Sequence, residues 1–254
     1  MSVLTELQPA DSDDLPTPDI MLDEVADALN RMKLKKAPGV DNITTEELQA
    51  AAEILGVKVL HKLFQRIWME EKIPDDWRKA IIIPTHKKKD RLDCNNYRGI
   101  SLLCHCYKVL TAILTKRLRQ RTDEILSEEQ AGFRSGRGTT DQIFTLQQIA
   151  EKYVEFGKDL YVCYIDFRKA FDSVWRDGLW SVMRHLGYPE KIVRILEDPY
   201  SETLSAVRVN GSTTEWFETL VGVLQGCVLS PLLFNVSLVK SYLPGHYKTW
   251  ISVL

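Results

Sequence analysis

A run of six apolar residues, 160–165, ends in the carboxylate of Asp166. A short run of this kind is typical of a β-strand buried in a protein core. A carboxylate at the end of a buried strand is costly to desolvate unless a cation binds it, and a divalent metal ion is the usual partner. Aspartate also commonly caps the first turn of a helix. The position of Asp166 therefore predicts a metal ligand or, alternatively, a helix cap.

The first third of the chain has helical periodicity. Apolar residues recur at helical spacing over residues 21–32, and Pro38-Gly39 is predicted to end this helix. Thr44 and the glutamate three residues later have the spacing of a capping box, which predicts the start of a second helix. A third helix is predicted from the apolar face that residues 57–68 would form.

Two hairpins are predicted farther along the chain. A β-branched run closed by Pro84, a lysine-rich turn and a second extended segment indicate a hairpin with a basic tip over residues 78–103. Asn210-Gly211, between two segments of alternating pattern, is a strong signal for a hairpin turn. Helices are predicted over residues 107–121 and 140–156. This irregular alternation favours an α+β fold rather than a doubly wound parallel sheet.

The charge of the chain is unevenly distributed. The net charge is −2, yet residues 1–24 hold seven acidic side chains and no Lys or Arg. Residues 78–121 contain twelve basic side chains and two acidic ones, a local net charge of +10. A polyanion is the natural partner for such a band, although a solvated helix face beside a lysine turn has the same composition. The acidic residues 1–18 are predicted to be a flexible lead-in.

The cysteines and the apolar stretches indicate an intracellular protein without a membrane segment. The five cysteines are odd in number and lack the paired spacing of zinc ligands, so reduced thiols are expected. Cys94 and residues 104–106 could be grouped as a metal cluster, but three adjacent residues do not easily converge on one tetrahedral ion. The uncharged stretch 221–239 contains Gly, Pro and Asn, which favours a buried loop and helix. No signal peptide opens the chain.

Five segments, in order along the chain, carry a more specific signal. Residues 164–172, with the sequence YIDFRKAFD, resemble motif A of reverse transcriptases from non-LTR retrotransposons and group II introns. Residues 223–235, with the sequence VLQGCVLSPLLFN, resemble motif B of the same enzymes. The other matches are KAPGVDNI at 36–43, the hairpin segments 77–89 and 95–103, and QAGFRSGRGT at 130–139.

This resemblance implies an α+β fold of the right-hand polymerase type. Residues 19–159 would form mostly fingers and residues 160–240 a partial palm, with the thumb absent and a divergent tail at 241–254. The implied reaction is attack of a primer 3′-hydroxyl on the α-phosphate of a dNTP, assisted by two Mg²⁺ ions, with Mn²⁺ as a substitute. The implied partners are an RNA template, a DNA primer and dNTP, with no membrane.

The resemblance also implies roles for the matching positions. Asp166 would be the catalytic carboxylate, and it would bind the metal together with the backbone carbonyl of Phe167. Phe171 would lie under the deoxyribose, where its ring excludes a 2′-hydroxyl. The implied nucleotide-binding residues are Lys87, Lys88, Arg98, Phe167, Phe171, Gln225 and Gly226, and the implied nucleic-acid-binding residues are Arg117, Arg134, Arg137, Ser230 and Pro231.

Each of these roles has an ordinary structural alternative. Phe171 could be a core aromatic, the cations could be surface charge, and Gln225 could be a turn residue with local hydrogen bonds. Asp172 lies beyond the end of the predicted strand, so it is not expected to share a metal ion with Asp166. We expect Asp172 to have a structural hydrogen-bonding role instead.

The chain departs from the family pattern after motif B. No Asp or Glu follows Glu218, so the aromatic-Ala-Asp-Asp turn that supplies the second pair of carboxylates is missing. One carboxylate does not hold two Mg²⁺ ions, so the resemblance implies a retrotransposon reverse transcriptase that is truncated here and inactive. A non-catalytic RNA- or DNA-binding remnant is the alternative. Phe171 argues against an RNA-directed RNA polymerase, and a helical scaffold would need the ordered motifs to arise by chance.

Overall fold

The computed structural model describes residues 17–167 and 169–239. Almost all of the predicted lead-in and the whole of the predicted tail lie outside these residues. The described part contains five strands: β1 (Lys79–His86), β2 (Tyr97–Leu102), β3 (Leu204–Val209), β4 (Ser212–Thr213) and β5 (Phe217–Glu218). It contains eight α-helices: α1 (Leu22–Asn30), α2 (Thr45–Leu55), α3 (Lys58–Glu70), α4 (His105–Ile125), α5 (Thr139–Glu155), α6 (Arg176–His185), α7 (Glu190–Ser201) and α8 (Ser230–Val239).

The five strands form one mixed sheet in the order β2-β1-β3-β4, with β5 also paired to β3. Strands β1 and β2 pair antiparallel, with Ile81 opposite Leu102, which confirms the predicted basic hairpin. Strand β1 also pairs with β3 in parallel, with Lys79 opposite Leu204. The hairpin and the β3 segment, which are more than a hundred residues apart in sequence, are therefore joined by backbone hydrogen bonds. This mixed sheet with surrounding helices agrees with the predicted α+β class.

The second predicted hairpin is present, but its returning strand is interrupted. Asn210 and Gly211 have φ values of 51° and 85°, as a type I′ turn requires. The hydroxyl of Thr214 accepts a hydrogen bond of 3.0 Å from the backbone N–H of Val207, where a regular ladder would use a carbonyl. The register shifts by one residue between the β3–β4 and β3–β5 pairs, so the returning strand contains a bulge.

Helix α2 begins at the predicted capping box, whereas α1 ends earlier than predicted. The hydroxyl of Thr44 accepts from the N–H of Glu47, and the Glu47 carboxylate accepts from the N–H of Thr44 at 2.7 Å. Helix α1 ends at Asn30 rather than at Pro38-Gly39. Residues 31–38 contain no helix, and the backbone is left-handed at Lys35, a conformation that does not continue an α-helix.

Helix α4 runs through the hydrophobic core. Eleven of its residues are buried, and the helix packs against α1 and α8. The ring of Tyr107 also lies 5.8 Å from that of Trp77, which precedes β1. Helix α8 is also mostly buried, in agreement with the loop and helix predicted for residues 221–239. Among the described residues, no helix has the length and apolar character needed to cross a membrane. The core therefore depends on helices that meet across long sequence separations.

The predicted buried strand at residues 160–165 is wrong in this structure. The segment has no strand assignment, and the side chains of Tyr161 and Tyr164 are 90% and 73% exposed. Helix α5, which precedes it, contains no buried residue. A strand requires a hydrogen-bonded neighbour, and none of the described strands lies beside this segment. The apolar pattern alone did not reveal this requirement.

An ion pair between Arg78 and Asp198 fastens the start of β1 to α7. The guanidinium reaches both carboxylate oxygens at 2.8 and 2.9 Å, and the two side chains are only 13% and 16% exposed. The same carboxylate accepts from the N–H of Ile73 at 2.9 Å. Burial limits screening by solvent, so removing either partner would leave the other as a buried charge without its counter-ion.

Replacing Arg78 with Met should lower the free energy of unfolding by about 3 kcal/mol, because the Asp198 carboxylate would lose its buried cation. Urea denaturation followed by circular dichroism measures this change. Arg66→Met is the matched control, since the Arg66–Glu70 pair is 72% and 52% exposed and should contribute about 0.5 kcal/mol or less. Equal losses in the two variants would contradict the assignment of Arg78 as a structural anchor.

Candidate nucleotide site

The segment containing motif A and the loop that begins motif B meet through three hydrogen bonds. The carbonyl of Phe171 accepts from the N–H of Val223 at 2.7 Å, and the carbonyl of Val174 accepts from the N–H of Gly222 at 2.8 Å. The side-chain amide of Gln225 donates to the Asp172 carboxylate at 3.1 Å. Asp172 thus has the structural hydrogen-bonding role that was predicted. The side chain of Gln225 therefore bonds to a residue 53 positions away in sequence and not to a group in its own turn.

The same loop is fixed to strand β2. The carbonyl of Gln225 accepts from the N–H of Ser101 at 2.7 Å. Gly226 has a φ of 118°, and a β-carbon at this position would lie 2.5 Å from the carbonyl oxygen of Ser101. Only glycine combines this backbone conformation with so close an approach. The loop therefore joins the basic hairpin to the motif A segment at a single place.

Four phenylalanine rings form a cluster beside this loop. The ring of Phe171 lies 5.2 Å from that of Phe234 on α8 and 6.0 Å from that of Phe133. The ring of Phe167 packs edge-on against Phe234 at 6.3 Å. Phe171 is partly buried rather than enclosed. It is thus held by neighbouring rings while one part remains accessible.

Asp166 lies on the exposed segment before this cluster. Its side chain is exposed, so the desolvation argument for a bound cation does not apply to this arrangement. The helix-cap alternative is not observed either, because Lys169 occupies the N-cap position of the 3₁₀ turn Ala170–Ser173. Within residues 17–167 and 169–239, no group of three or more His, Cys, Asp or Glu side chains is arranged to hold a metal ion.

Arg117, a predicted nucleic-acid contact, does not lie on an open surface, because its donors are bonded within the protein. Its guanidinium donates to the Glu24 carboxylate at 2.6 and 2.9 Å and to the carbonyls of Pro18 and Asp19 at 2.6 and 2.8 Å. It also lies 5.1 Å from the centre of the Trp68 ring. Burial opposes ionisation of Glu24, but the hydrogen bonds from Arg117 and the backbone leave the pKa of Glu24 lowered. Arg117 therefore fastens α4 to α1.

Three other predicted nucleic-acid contacts also have partners within the protein. Arg134, whose side chain is 7% exposed, donates to Asp123 and to the carbonyl of Ser127 at 2.7 Å. The hydroxyl of Ser230 is buried and donates to a loop carbonyl at 2.7 Å. Arg137 forms an ion pair with Glu128. The donors of Arg134 and Ser230 are thus used inside the protein. Pro231 is half-buried in the first turn of α8.

The cations assigned to the nucleotide are exposed on the β1–β2 hairpin. Arg98 lies on β2 opposite Thr85, and Lys87 and Lys88 follow β1 directly. The backbone N–H of Lys87 donates to the carbonyl of Asn96 at 2.8 Å, which fixes the base of the turn. Among the described residues, no ion pair joins these three side chains to an acidic group. They are placed to meet an anion from outside the fold.

The Cys104–Cys106 region is part of the hydrophobic core. Burial raises the pKa of the Cys104 thiol to about 12 and that of Cys106 to about 11, so both remain protonated at neutral pH. Both ring nitrogens of His105 are engaged, with Thr45 at 3.1 Å and with the carbonyl of Ala37 at 3.2 Å. His105 therefore ties the residues before α2 to the start of α4.

Sequence reasoning missed Arg176, whose side chain bonds the 222–226 loop to the helices that pack against it. Its buried guanidinium donates to the carbonyls of Gly222 at 2.9 Å and Tyr200 at 3.0 Å, and it lies 4.9 Å from the centre of the Tyr200 ring. These contacts fix the loop before Gln225 to the helices below it. In the sequence, Arg176 is an arginine next to an aspartate at a helix start, which does not distinguish it from a surface residue.

Comparison with known proteins identifies the class that these motifs define. Residues 85–244, more than half of the chain, match the family model described as reverse transcriptase (RNA-dependent DNA polymerase). The chain therefore belongs to the reverse transcriptase family, as the motifs predicted.

Several relatives come from mobile elements of insects. The chain is 31% identical over 236 residues to the probable RNA-directed DNA polymerase from transposon BS of Drosophila melanogaster, covering 92% of the chain and 26% of that protein. It is 28% identical over 235 residues to the RNA-directed DNA polymerase from mobile element jockey of the same species, covering 91% and 25%. It is 33% identical over 162 residues to the Pol polyprotein of retrotransposable element R1 of Bradysia coprophila, covering 62% and 16%. The chain thus spans about a quarter or less of each of these relatives.

Replacing Gly226 with Ala should lower the free energy of unfolding by about 3 kcal/mol, because the new β-carbon would overlap the Ser101 carbonyl and break the bond between Ser101 and Gln225. Thermal denaturation measures the loss. Gly136→Ala is the control, since Gly136 also has a positive φ but open space around it, and it should cost about 1 kcal/mol. If Gly226→Ala lowers the free energy of unfolding no more than Gly136→Ala does, the contact between position 226 and the Ser101 carbonyl leaves room for a side chain.

Proposed function

We propose that this chain forms the fingers, mostly residues 19–159, and part of the palm, residues 160–240, of a retrotransposon RNA-directed DNA polymerase. Its partners would be an RNA template, a DNA primer and dNTP. The observation that carries the proposal is the meeting of three separate segments at the 222–226 loop. Asp172 and Phe171 from motif A, Gln225 from motif B and Ser101 from the basic hairpin all converge there.

In this proposal different residues bind different parts of the nucleotide. Arg98, with its planar pair of donors, and Lys87 or Lys88 bind the triphosphate from the hairpin. The ring of Phe171 occupies the place of a ribose 2′-hydroxyl and so favours deoxyribonucleotides. The loop at Gln225 and Gly226 supports the nucleotide and template. The exposed position of the cations and the partly open Phe171 ring support this division.

The donor set fits one magnesium ion brought by a triphosphate but not a pair of ions. Asp166 and the carbonyl of Phe167 would hold this Mg²⁺, or Mn²⁺, together with phosphate oxygens. When bound, the ion would neutralise the charge that develops on the phosphate during attack by the primer hydroxyl. Asp166 is exposed and has no neighbouring carboxylate cluster in the described residues, which agrees with a single weak site.

A polypeptide of these 254 residues should bind a primer–template and dNTP without extending the primer. One carboxylate provides too little negative charge for two ions, and losing that stabilisation costs about tenfold in rate for each 1.36 kcal/mol. Primer extension with Mg²⁺ or Mn²⁺ and labelled dNTP tests this expectation. The matched control is Asp166→Asn, which should show the same background, and template-directed incorporation that disappears in this variant would overturn the proposed inactivity.

Non-catalytic binding of RNA or DNA is a second candidate function, favoured by the exposed hairpin cations. Reversing Lys87, Lys88 and Arg98 to Glu should reduce the salt dependence of binding to an RNA–DNA hybrid. The slope of log affinity against log salt should fall by about 2 to 3, because each lost phosphate contact removes about 0.7 to 0.9. Fluorescence anisotropy over a range of salt concentrations measures the slope.

The control for this experiment changes the same amount of charge at another surface. Lys33, Lys58 and Lys62 are exposed on the helical part of the chain, and their reversal to Glu should leave the slope nearly unchanged. If both triple variants change the slope equally, binding responds to net charge alone. If neither changes it, the hairpin is not part of the interface.

A further inference from the structure

Phe133 is an exposed aromatic residue in an unfavourable backbone conformation. Its side chain is 57% exposed, and its φ of 59° places it in the left-handed region. Bulky L-residues rarely adopt this conformation, and they retain it only where the surroundings impose it. An exposed large apolar side chain held in this way requires an explanation other than core packing.

The residues on both sides of Phe133 are held by hydrogen bonds to other parts of the protein. The carbonyl of Gly132 accepts from the side-chain amide of Asn235 on α8 at 2.9 Å, and Asn235 in turn accepts from Gln130 at 3.2 Å. On the other side, the guanidinium of Arg134 is inserted among Asp123 and two carbonyls. The backbone at Phe133 is therefore fixed from both ends, and its conformation follows from these anchors.

This fixed backbone brings the ring of Phe133 to the ring of Phe171. The two rings meet edge to face, with centroids 6.0 Å apart and an interplanar angle of 69°. On another side, Phe171 packs at 5.2 Å against Phe234, which is 6% exposed and belongs to the core. Phe171 thus has one ring neighbour that the core supplies and one that the loop supplies. Removing the loop neighbour would open space into which the Phe171 ring could rotate.

We propose that Phe133 is a specificity-determining residue that holds the Phe171 ring in the place of a 2′-hydroxyl. The inference rests on the proposed function, in which Phe171 selects deoxyribonucleotides. Phe133 acts on the nucleotide through Phe171, so it positions the selecting ring and takes no part in the chemistry. The hydrogen bonds on both sides of Phe133 hold its backbone in an unfavourable conformation, and this conformation keeps its exposed ring close to the ring of Phe171.

The contact itself can be tested without any nucleotide. We would place 4-fluorophenylalanine at position 171 of the full chain and record the ¹⁹F resonance. Phe133→Ala should shift this resonance and change its line width, because the ring loses the edge-to-face neighbour. Phe144→Ala is the matched control, since Phe144 is similarly exposed, at 61%, on α5. An unchanged resonance in Phe133→Ala would overturn the inference.

Selectivity is tested by the ratio of the dissociation constants of UTP and dUTP, which differ only at the 2′ position. These would be measured by calorimetry with Mg²⁺ and an RNA–DNA primer–template whose primer ends in a 3′-deoxynucleotide. Phe133→Ala should lower the ratio by about two- to tenfold, the range expected for loss of an aromatic pair, while the affinity for dUTP changes less than twofold. Phe133→Tyr should retain the ratio, and Phe144→Ala should not alter it.

Phe171→Ala separates failure of this inference from failure of the proposed function. If Phe171→Ala lowers the ratio and Phe133→Ala does not, Phe133 has no role in selection and the inference is overturned. If the unaltered chain does not distinguish UTP from dUTP, the role of Phe171 fails, and the selective role of Phe133 fails with it. A reduced ratio in both variants supports both assignments.

Discussion

The arrangement of the candidate site depends on one loop that is bonded to two separate parts of the fold. The 222–226 loop donates from Gly222 and Val223 to the motif A segment, and it accepts from Ser101 on β2. Backbone hydrogen bonds of this kind fix position without depending on flexible side chains. Because β1 also pairs with β3, the hairpin cannot move away from the loop without disturbing the sheet. The relative positions of Phe171 and Arg98 are therefore set by backbone pairing.

The basic band divides into cations that hold the protein together and cations that remain exposed. Arg78 and Arg117 are partly buried and paired with carboxylates from distant helices, so they stabilise the fold. Lys87, Lys88 and Arg98 lie on the hairpin, where an acidic partner is absent among the described residues. Net charge alone did not separate these groups. The difference depends on which acidic residues the fold brings close.

Features determined by a few neighbouring residues were predicted well from the sequence. The capping box at Thr44 and the turn at Asn210-Gly211 form as expected, because each depends only on local hydrogen bonds and backbone conformation. The strand at 160–165 did not form, since pairing requires a neighbour that a local pattern does not specify. The structural role of Arg117 was missed for the same reason, because its partner Glu24 lies 93 residues away on another helix. The partners of Arg134 and Ser230 lie within eleven residues, but no sequence pattern specified the turns that bring them together.

The glycine of motif B illustrates how a residue can belong to a functional motif for a reason of folding. Gly226 approaches the carbonyl of Ser101 so closely that a larger residue would separate the loop from β2. A loss of nucleotide binding after its substitution would therefore not show that Gly226 touches the nucleotide. Gln225 is the more informative position, because its backbone carbonyl bonds to β2 whatever the side chain is, while its amide bonds to Asp172. Changing the side chain of Gln225 leaves the backbone attachment in place, so its effect on binding reports on the site itself.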